Sequence, residues 1–408
     1  MRRTLVFVFI AVLLIPTSLP GASAQNVETL ALLWDRDDGH NATMWSVRWS
    51  PDNSMIASTF FDNTTVVWNS TTGSRIVKLG SHENYTAEGT RCDGIKTCLI
   101  ASHLPTRISA WSRDGRYLLT GGDDTEIYVF ETTNWTVERI LSGHEGSVLT
   151  LQFSPDGRYL ASGSGTDKVD MHNVPENQVR IWDFANGTVV ATLEGHADGV
   201  LEVKWSPDGS RLVSASDDKT MKMWETTNWT NILDFTGHAG GVLSVDWSPD
   251  GNFLISGSRD YKVRKWNATT GEAIDVWEAP NCVRSVDWHE RENFIVTSGV
   301  AEVMVMIRNE TNGAIMKTLD ENRVVGGTIM SARWSPNGQM LATASGKDFA
   351  IRVYAFGIGE EEPAPLIPPW LPGVMFFFVV VAVSTWITII GIERLLRRRE
   401  RRSSWGGW

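Results

Sequence analysis

The sequence has 408 residues, is 42% hydrophobic and carries a formal net charge of −11. That is chain enough, and apolar enough, to build the core of one large domain or two ordinary ones. Setting aside the +2 of Arg2 and Arg3 and the +4 of residues 393–402 leaves about −17 for the rest, an acidic balance that repels phosphate backbones and speaks against nucleic-acid binding.

The chain opens with MRRTLVFVFIAVLLIPTSLPGASAQ. A basic start, a short apolar run and Ala22-Ser23-Ala24 follow the layout of a secretory signal peptide, residues 1–24, cleaved after Ala24. The alternative is an uncleaved anchor, but the run from Thr4 to Ile15 is short for a bilayer span. Next comes VETLALLW, residues 27–34, a strand pattern just before Gly39-His40.

From there the chain repeats itself. GHADGVLEVKWSPDG at 195–209 has near-copies at 237–251 and 143–157. Within it, Val200, Glu202 and Lys204 alternate with Leu201, Val203 and Trp205, the period of a strand. Ser-Pro-Asp-Gly is turn chemistry. RLVSAS, TMKMW and NILDF then supply three more strands before the next Gly-His. Four short antiparallel strands every forty residues or so mark a β-propeller blade. One such sheet leaves its faces uncovered; blades stacked around an axis bury them against each other, which is why the unit repeats. The aromatic before the turn counts seven units: Trp49, Trp111, Phe153, Trp205, Trp247, Trp288 and Trp334. Their third strands carry Trp68, Phe130, Trp182, Trp224, Trp266 and Tyr354, with Arg308 in the degenerate sixth.

The Gly-His, the Asp six residues before the third-strand Trp, and that Trp resemble the WD-repeat (beta-transducin-like) family over residues 27–356. The resemblance implies an all-β fold, a seven-bladed β-propeller of four-stranded antiparallel blades. It also implies buried hydrogen-bonded tetrads: His40, Ser58, Asp62 and Trp68 in blade one; His196, Ser214, Asp218 and Trp224 in blade four; His238, Ser256, Asp260 and Trp266 in blade five. Such residues fix strand register and are structural, not catalytic. Blades two, six and seven lack the Gly-His and should be looser. The last unit has only three strands before the chain leaves, so residues 27–34 are expected to complete it and close the ring.

We call top the face with the turns between second and third strands and the connections between blades; the other turns lie at the bottom. Two insertions fall on top. Residues 80–107 contain Cys92 and Cys98, a disulfide in an oxidising compartment and otherwise two thiols. Residues 163–178 contain Asp167, Asp170 and His172, a candidate metal cluster. Long loops on a rigid scaffold often carry binding function, and as often are neutral. Asn-x-Thr acceptors at Asn41, Asn63 and Asn84 lie on top near blade one and are glycosylation candidates; six others, at the turn after the third strand, are equally well explained as turn residues. Family members often bind peptides with top-face residues near the channel. The matching positions are Trp45, Leu149, Leu201, Leu243, Arg284 and Met330, joined by Phe61. An apolar patch with an aromatic and an Arg suits a protein partner.

A Pro-rich acidic linker, residues 357–369, leads to the uncharged run Leu371–Ile392, long enough for a transmembrane helix. The Arg-rich tail, residues 393–408, places the C-terminus in the cytoplasm and the propeller outside, as a single-pass protein. The catalytic motifs sought (Gly-x-Ser-x-Gly, His-Glu-x-x-His, a phosphate loop) are not in the sequence. The expectation is a membrane-anchored scaffold without cofactor that binds an unidentified protein or peptide on its top face. The alternative is a propeller enzyme, or a metal- or small-ligand sensor using the insertions. Oligomeric state is not legible.

Overall fold

The computed structural model describes residues 29–37, 42–80, 105–165, 176–299, 304–320 and 328–357. These form 28 β-strands arranged as seven four-stranded antiparallel sheets. No helix among the described residues is long and apolar enough to cross a membrane. The expected signal peptide, the transmembrane segment and the basic tail lie outside the described residues, as do His40, Asn41, Asn84, Cys92, Cys98, Asp167, Asp170 and His172.

Blade four shows how the repeat folds. Val200–Trp205 is the inner strand, followed outward by Arg211–Ser216, Met221–Glu225 and Thr230–Phe235. The first turn is tied by its own side chains. Ser206 Oγ donates to Asp208 Oδ1 at 2.6 Å, the Arg211 amide donates to Ser206 Oγ at 2.9 Å, and Gly209 takes φ 72°. Only a residue tolerant of the left-handed region closes this turn without strain. Exposure rises outward: the second strand is almost wholly buried, while the outer strand reads exposed at most positions.

Inner strands of neighbouring blades pack against each other all the way round, blade seven against blade one. The pre-turn tryptophan reaches across this seam. Trp111, Trp205 and Trp247 donate their indole N–H to the backbone oxygens of Arg48, Gln152 and Lys204 in the preceding blade, at 3.1–3.2 Å. Trp49 does the same to Arg333, across the closure. The seam buries both an apolar face and a polar handle in one side chain.

Closure follows the expected plan. Thr29–Arg36 pairs antiparallel with Ile351–Gly357, from Thr29 opposite Gly357 to Arg36 opposite Ile351. Among the described residues the strand runs past Trp34 to Arg36, with an irregularity of register between Leu32 and Trp34. The buried core here runs from Trp34 through Met44, Val47 and Trp68 to Ile351 and Val353, so the two ends of the propeller share one core.

Blades two, six and seven lack a complete tetrad of the expected kind. Each has four full strands in the same order as the others. Each of these blades makes buried polar contacts of its own. Arg107 pairs with Asp123 in blade two at 2.7 Å, and Arg352 pairs with Asp348 in blade seven. In blade six, Arg308 occupies the third-strand Trp position, 3% exposed, and donates to the Gly313 and Glu278 oxygens at 3.1 and 2.9 Å.

Candidate functional site

The inner strand of every blade carries one β-bulge, at Trp45, Arg107, Leu149, Leu201, Leu243, Arg284 and Met330 in turn. A bulge residue has no partner across the sheet, so its side chain is released from the alternation that commits its neighbours to one face or the other. All seven turn to the axis and line one cavity of about 310 Å³. Asp198 and Gly199, from a connection between blades, and Asp217 and Arg259, from turns between second and third strands, share its wall, which places it on the top face. Six of the seven mouth residues expected from sequence are therefore together. Phe61 is beside the cavity rather than in it: it packs on Trp45 with ring centroids 6.4 Å apart and is 45% exposed.

The sequence reading did not include Arg107, although the equivalent positions of blades six and seven, which also lack the Gly-His, were read. Its signal is the spacing to the pre-turn aromatic, four residues on, which Arg107 shares with all the others. It changes the site. The Arg107 guanidinium carbon lies 4.5 Å from the Trp45 ring centroid and that of Arg284 lies 4.9 Å away. Trp45 is thus a platform for two cations rather than an open aromatic face. Its indole N–H is buried and has no acceptor among the described residues.

Below the mouth the channel is charged. Glu202, 4% exposed, accepts from Arg333 at 2.6 Å, from the Val245 amide at 3.1 Å and from the Ser244 hydroxyl. Burial alone would raise this carboxyl, but Arg333, Lys204 and Arg48 hold it below its ordinary value. Burial pulls Arg48 down to about 10, with help from Arg333. Burial pushes Asp287 up to about 6; Arg333 resists and Asp246 adds to the rise. Asp246, Asp287 and Gln152 also accept the amides of Trp288, Trp334 and Trp205, each at 2.7–2.8 Å, from the next blade. This lower ring bolts blade to blade. A second cavity of about 500 Å³ opens beneath it, walled by the Ser-Pro turns of the bottom face.

The tetrads of blades four and five stand where they were expected, and that of blade one is described only in part, His40 lying outside the described residues. In blade four, His196 lies 2.7 Å from Asp218 through Nδ1 and 2.8 Å from Ser214 through Nε2, and Trp224 donates to Ser214 at 2.9 Å. Blade five repeats this with His238, Asp260, Ser256 and Trp266 at 2.8–2.9 Å. In blade one, Trp68 donates to Ser58 at 2.8 Å and Asp62 accepts from Thr64. A further tetrad went unread. His144 lies 2.6 Å from Ser162 and 3.2 Å from Glu176, and Trp182 donates to Ser162 at 2.8 Å. The insertion of blade three had displaced Glu176 from its usual distance to the second strand, though it still stands six residues before Trp182. Asn63 takes φ 73° and is 1% exposed, which leaves no room for a glycan on the folded chain. The structure removes it from the glycosylation candidates.

Comparison with known proteins agrees with this geometry. The family model described as "WD domain, G-beta repeat" matches residues 32–69, 97–131, 135–183, 187–225, 229–267 and 315–355, more than half of the chain. The chain belongs to the WD40 family. The unmatched interval contains the first three strands of blade six, where Arg308 replaces the tryptophan. Among curated relatives, Protein FIZZY-RELATED 3 of Arabidopsis thaliana is 26% identical over 240 residues, 45% of this chain and 50% of that protein. The guanine nucleotide-binding protein subunit beta of Zea mays is 25% identical over 227 residues, covering 44% and 54%. Nuclear distribution protein PAC1 of Coccidioides posadasii is 25% identical over 219 residues, covering 49% and 41%. The chain spans about half the length of the curated relatives it matches.

Proposed function

We propose that this WD40 propeller is a membrane-anchored, extracytoplasmic scaffold that binds a protein or peptide partner at its top mouth and performs no chemistry on it. The observation that carries the binding reading is the ring of bulges: seven blades, unlike in their tetrads, all turn one side chain into the same cavity. Rigid stacked blades hold that ring without the entropic cost of ordering it on binding. Proteins such as a guanine nucleotide-binding protein subunit share the repeat, and binding surfaces on repeat scaffolds arise from such fixed arrays. The anchor rests on the apolar run Leu371–Ile392 followed by the Arg-rich tail.

The test uses the full chain, tagged at its C-terminus, beside a Trp45→Ala/Arg284→Ala variant shown to be folded. Partners retained from extracellular and membrane fractions by the first and lost by the second support the reading. Identical retention by both would sink it. Protease added to intact cells separates the topology: digestion of the propeller with the tail protected is expected, and the reverse pattern overturns the orientation.

A further inference from the structure

We infer that the group recognised at the top mouth is anionic: an acidic side chain of a partner segment, flanked by apolar residues. This rests on the top-mouth reading above and adds the chemistry of the occupant.

The side chains that line the cavity hold more arginines than carboxylates, the reverse of the chain as a whole. Its wall holds five arginines, at 48, 107, 259, 284 and 333, against Asp198, Asp217 and Glu202. Adding Asp123 and Asp287, which pair with Arg107 and Arg333 from behind, brings the count to neutral, on a protein whose net charge is −11.

The hydrogen-bonding pattern points the same way. Every lining carboxylate already accepts from the protein. Asp198 takes the Gly199 amide at 2.8 Å, Asp217 takes Arg259 at 3.1 Å, and Glu202 takes Arg333 at 2.6 Å. A cationic ligand would have to compete for these acceptors. Donors, in contrast, are in surplus. Among the described residues the Trp45 indole N–H has no acceptor, and the Ser331 hydroxyl, on a residue 3% exposed, has no partner either. A carboxylate brings two oxygens to that surplus and pairs well with guanidinium groups. Stacking on Trp45 fixes the planes of Arg107 and Arg284 before any ligand arrives. The remainder of the rim, Leu149, Leu201, Leu243 and Met330, is aliphatic, so the residues beside the acid should be apolar. The volume, about 310 Å³, suits one or two side chains of an extended segment.

The experiment selects random dodecapeptides displayed on phage against the full chain and against Arg284→Glu, Arg284→Gln and Arg284→Lys. Near-ultraviolet circular dichroism of the tryptophans verifies folding, and Arg284→Gln with Arg284→Lys keeps the comparison alive if the charge reversal does not fold. Peptides enriched in Asp or Glu beside Leu, Ile or Met are expected. Synthetic versions should bind about tenfold more weakly at 0.5 M than at 0.1 M salt, lose about tenfold or more with Arg284→Gln, and keep most of their affinity with Arg284→Lys. Arg284→Glu should turn the selection toward Lys and Arg. Enrichment of uncharged or basic peptides on the parent chain, still abolished by Leu201→Glu, would overturn the anionic preference and leave the top-mouth reading standing. If no enriched peptide is sensitive to Leu201→Glu, both fall.

Discussion

Blades five and six are neighbours with the same four-stranded plan and different interiors. In blade five the third strand presents Trp266, opposite Leu254, and its indole closes a tetrad with Ser256, His238 and Asp260. Blade six presents Arg308, opposite Ile295 in the equivalent register, and the guanidinium satisfies two backbone oxygens instead. Their first turns differ as well. Asp250 accepts from Ser248 and from the Asn252 amide at 3.0 Å, whereas in blade six His289 Nδ1 accepts the amides of Arg291 and Glu292 at 3.2 and 3.0 Å. The pair teaches that the backbone ladder and the stacking between blades set the fold. The tetrad is one of several ways to satisfy what burial leaves over.

The largest test is truncation of the two third-strand residues. Trp266→Ala removes a side chain only 1% exposed and should cost about 3–5 kcal/mol. Arg308→Ala leaves two backbone oxygens without their donor and should cost less, about 1–3 kcal/mol. Urea denaturation of the full chain measures both; equal costs would mean that the tetrad adds nothing beyond any buried polar contact.

Acid separates the two blades by sign. Burial holds His238 below its ordinary value of 6.5, against the pull of Asp260. The unfolded chain then takes up a proton that the folded chain refuses, so stability from this group is present above 6.5 and lost as pH falls below it. Asp287, in the inner strand of blade six, is raised from 3.8 to about 6. Here the folded chain takes up the proton first, so stability grows as pH falls through 6 toward 4. Between pH 7 and pH 5, His238→Gln should flatten the loss of stability and Asp287→Asn should steepen it, the latter by on the order of 1 kcal/mol. Denaturation midpoints at the two pH values decide; a matching response from both variants would break the contrast.

The smallest effects belong to the turns. Asp250→Ala should cost about 1 kcal/mol by removing the acceptor of an amide and a hydroxyl. Glu290→Ala, at the corresponding bottom turn of blade six where histidine has taken over the bonding, should fall within about 0.5 kcal/mol of the parent. Thermal melts resolve the difference.

Where the repeat keeps its spacing, sequence counting was sufficient. The strands, the tetrads of blades four and five and six of the seven mouth residues were placed by offsets from Gly-His and tryptophan. Counting failed where an anchor was lost or displaced. Glu176 had been moved away from Ser162 by an insertion, and Arg107 follows an insertion that separates blade two from blade one. Blades two, six and seven looked weak because the repeat's own residue types are missing there, while Arg107 with Asp123, Arg308, and Arg352 with Asp348 make polar contacts that the repeat's tetrad does not include.

The amino-acid sequence by itself determined the all-β repeat, its period and the strand that closes the ring, because alternation and turn chemistry are local properties of the chain. Tertiary structure alone decided what the channel is. Seven bulges, far apart in sequence, bring their bulged residues to one axis, and there Trp45 meets Arg107 and Arg284. No local pattern encodes that meeting, since it exists only once the ring has closed.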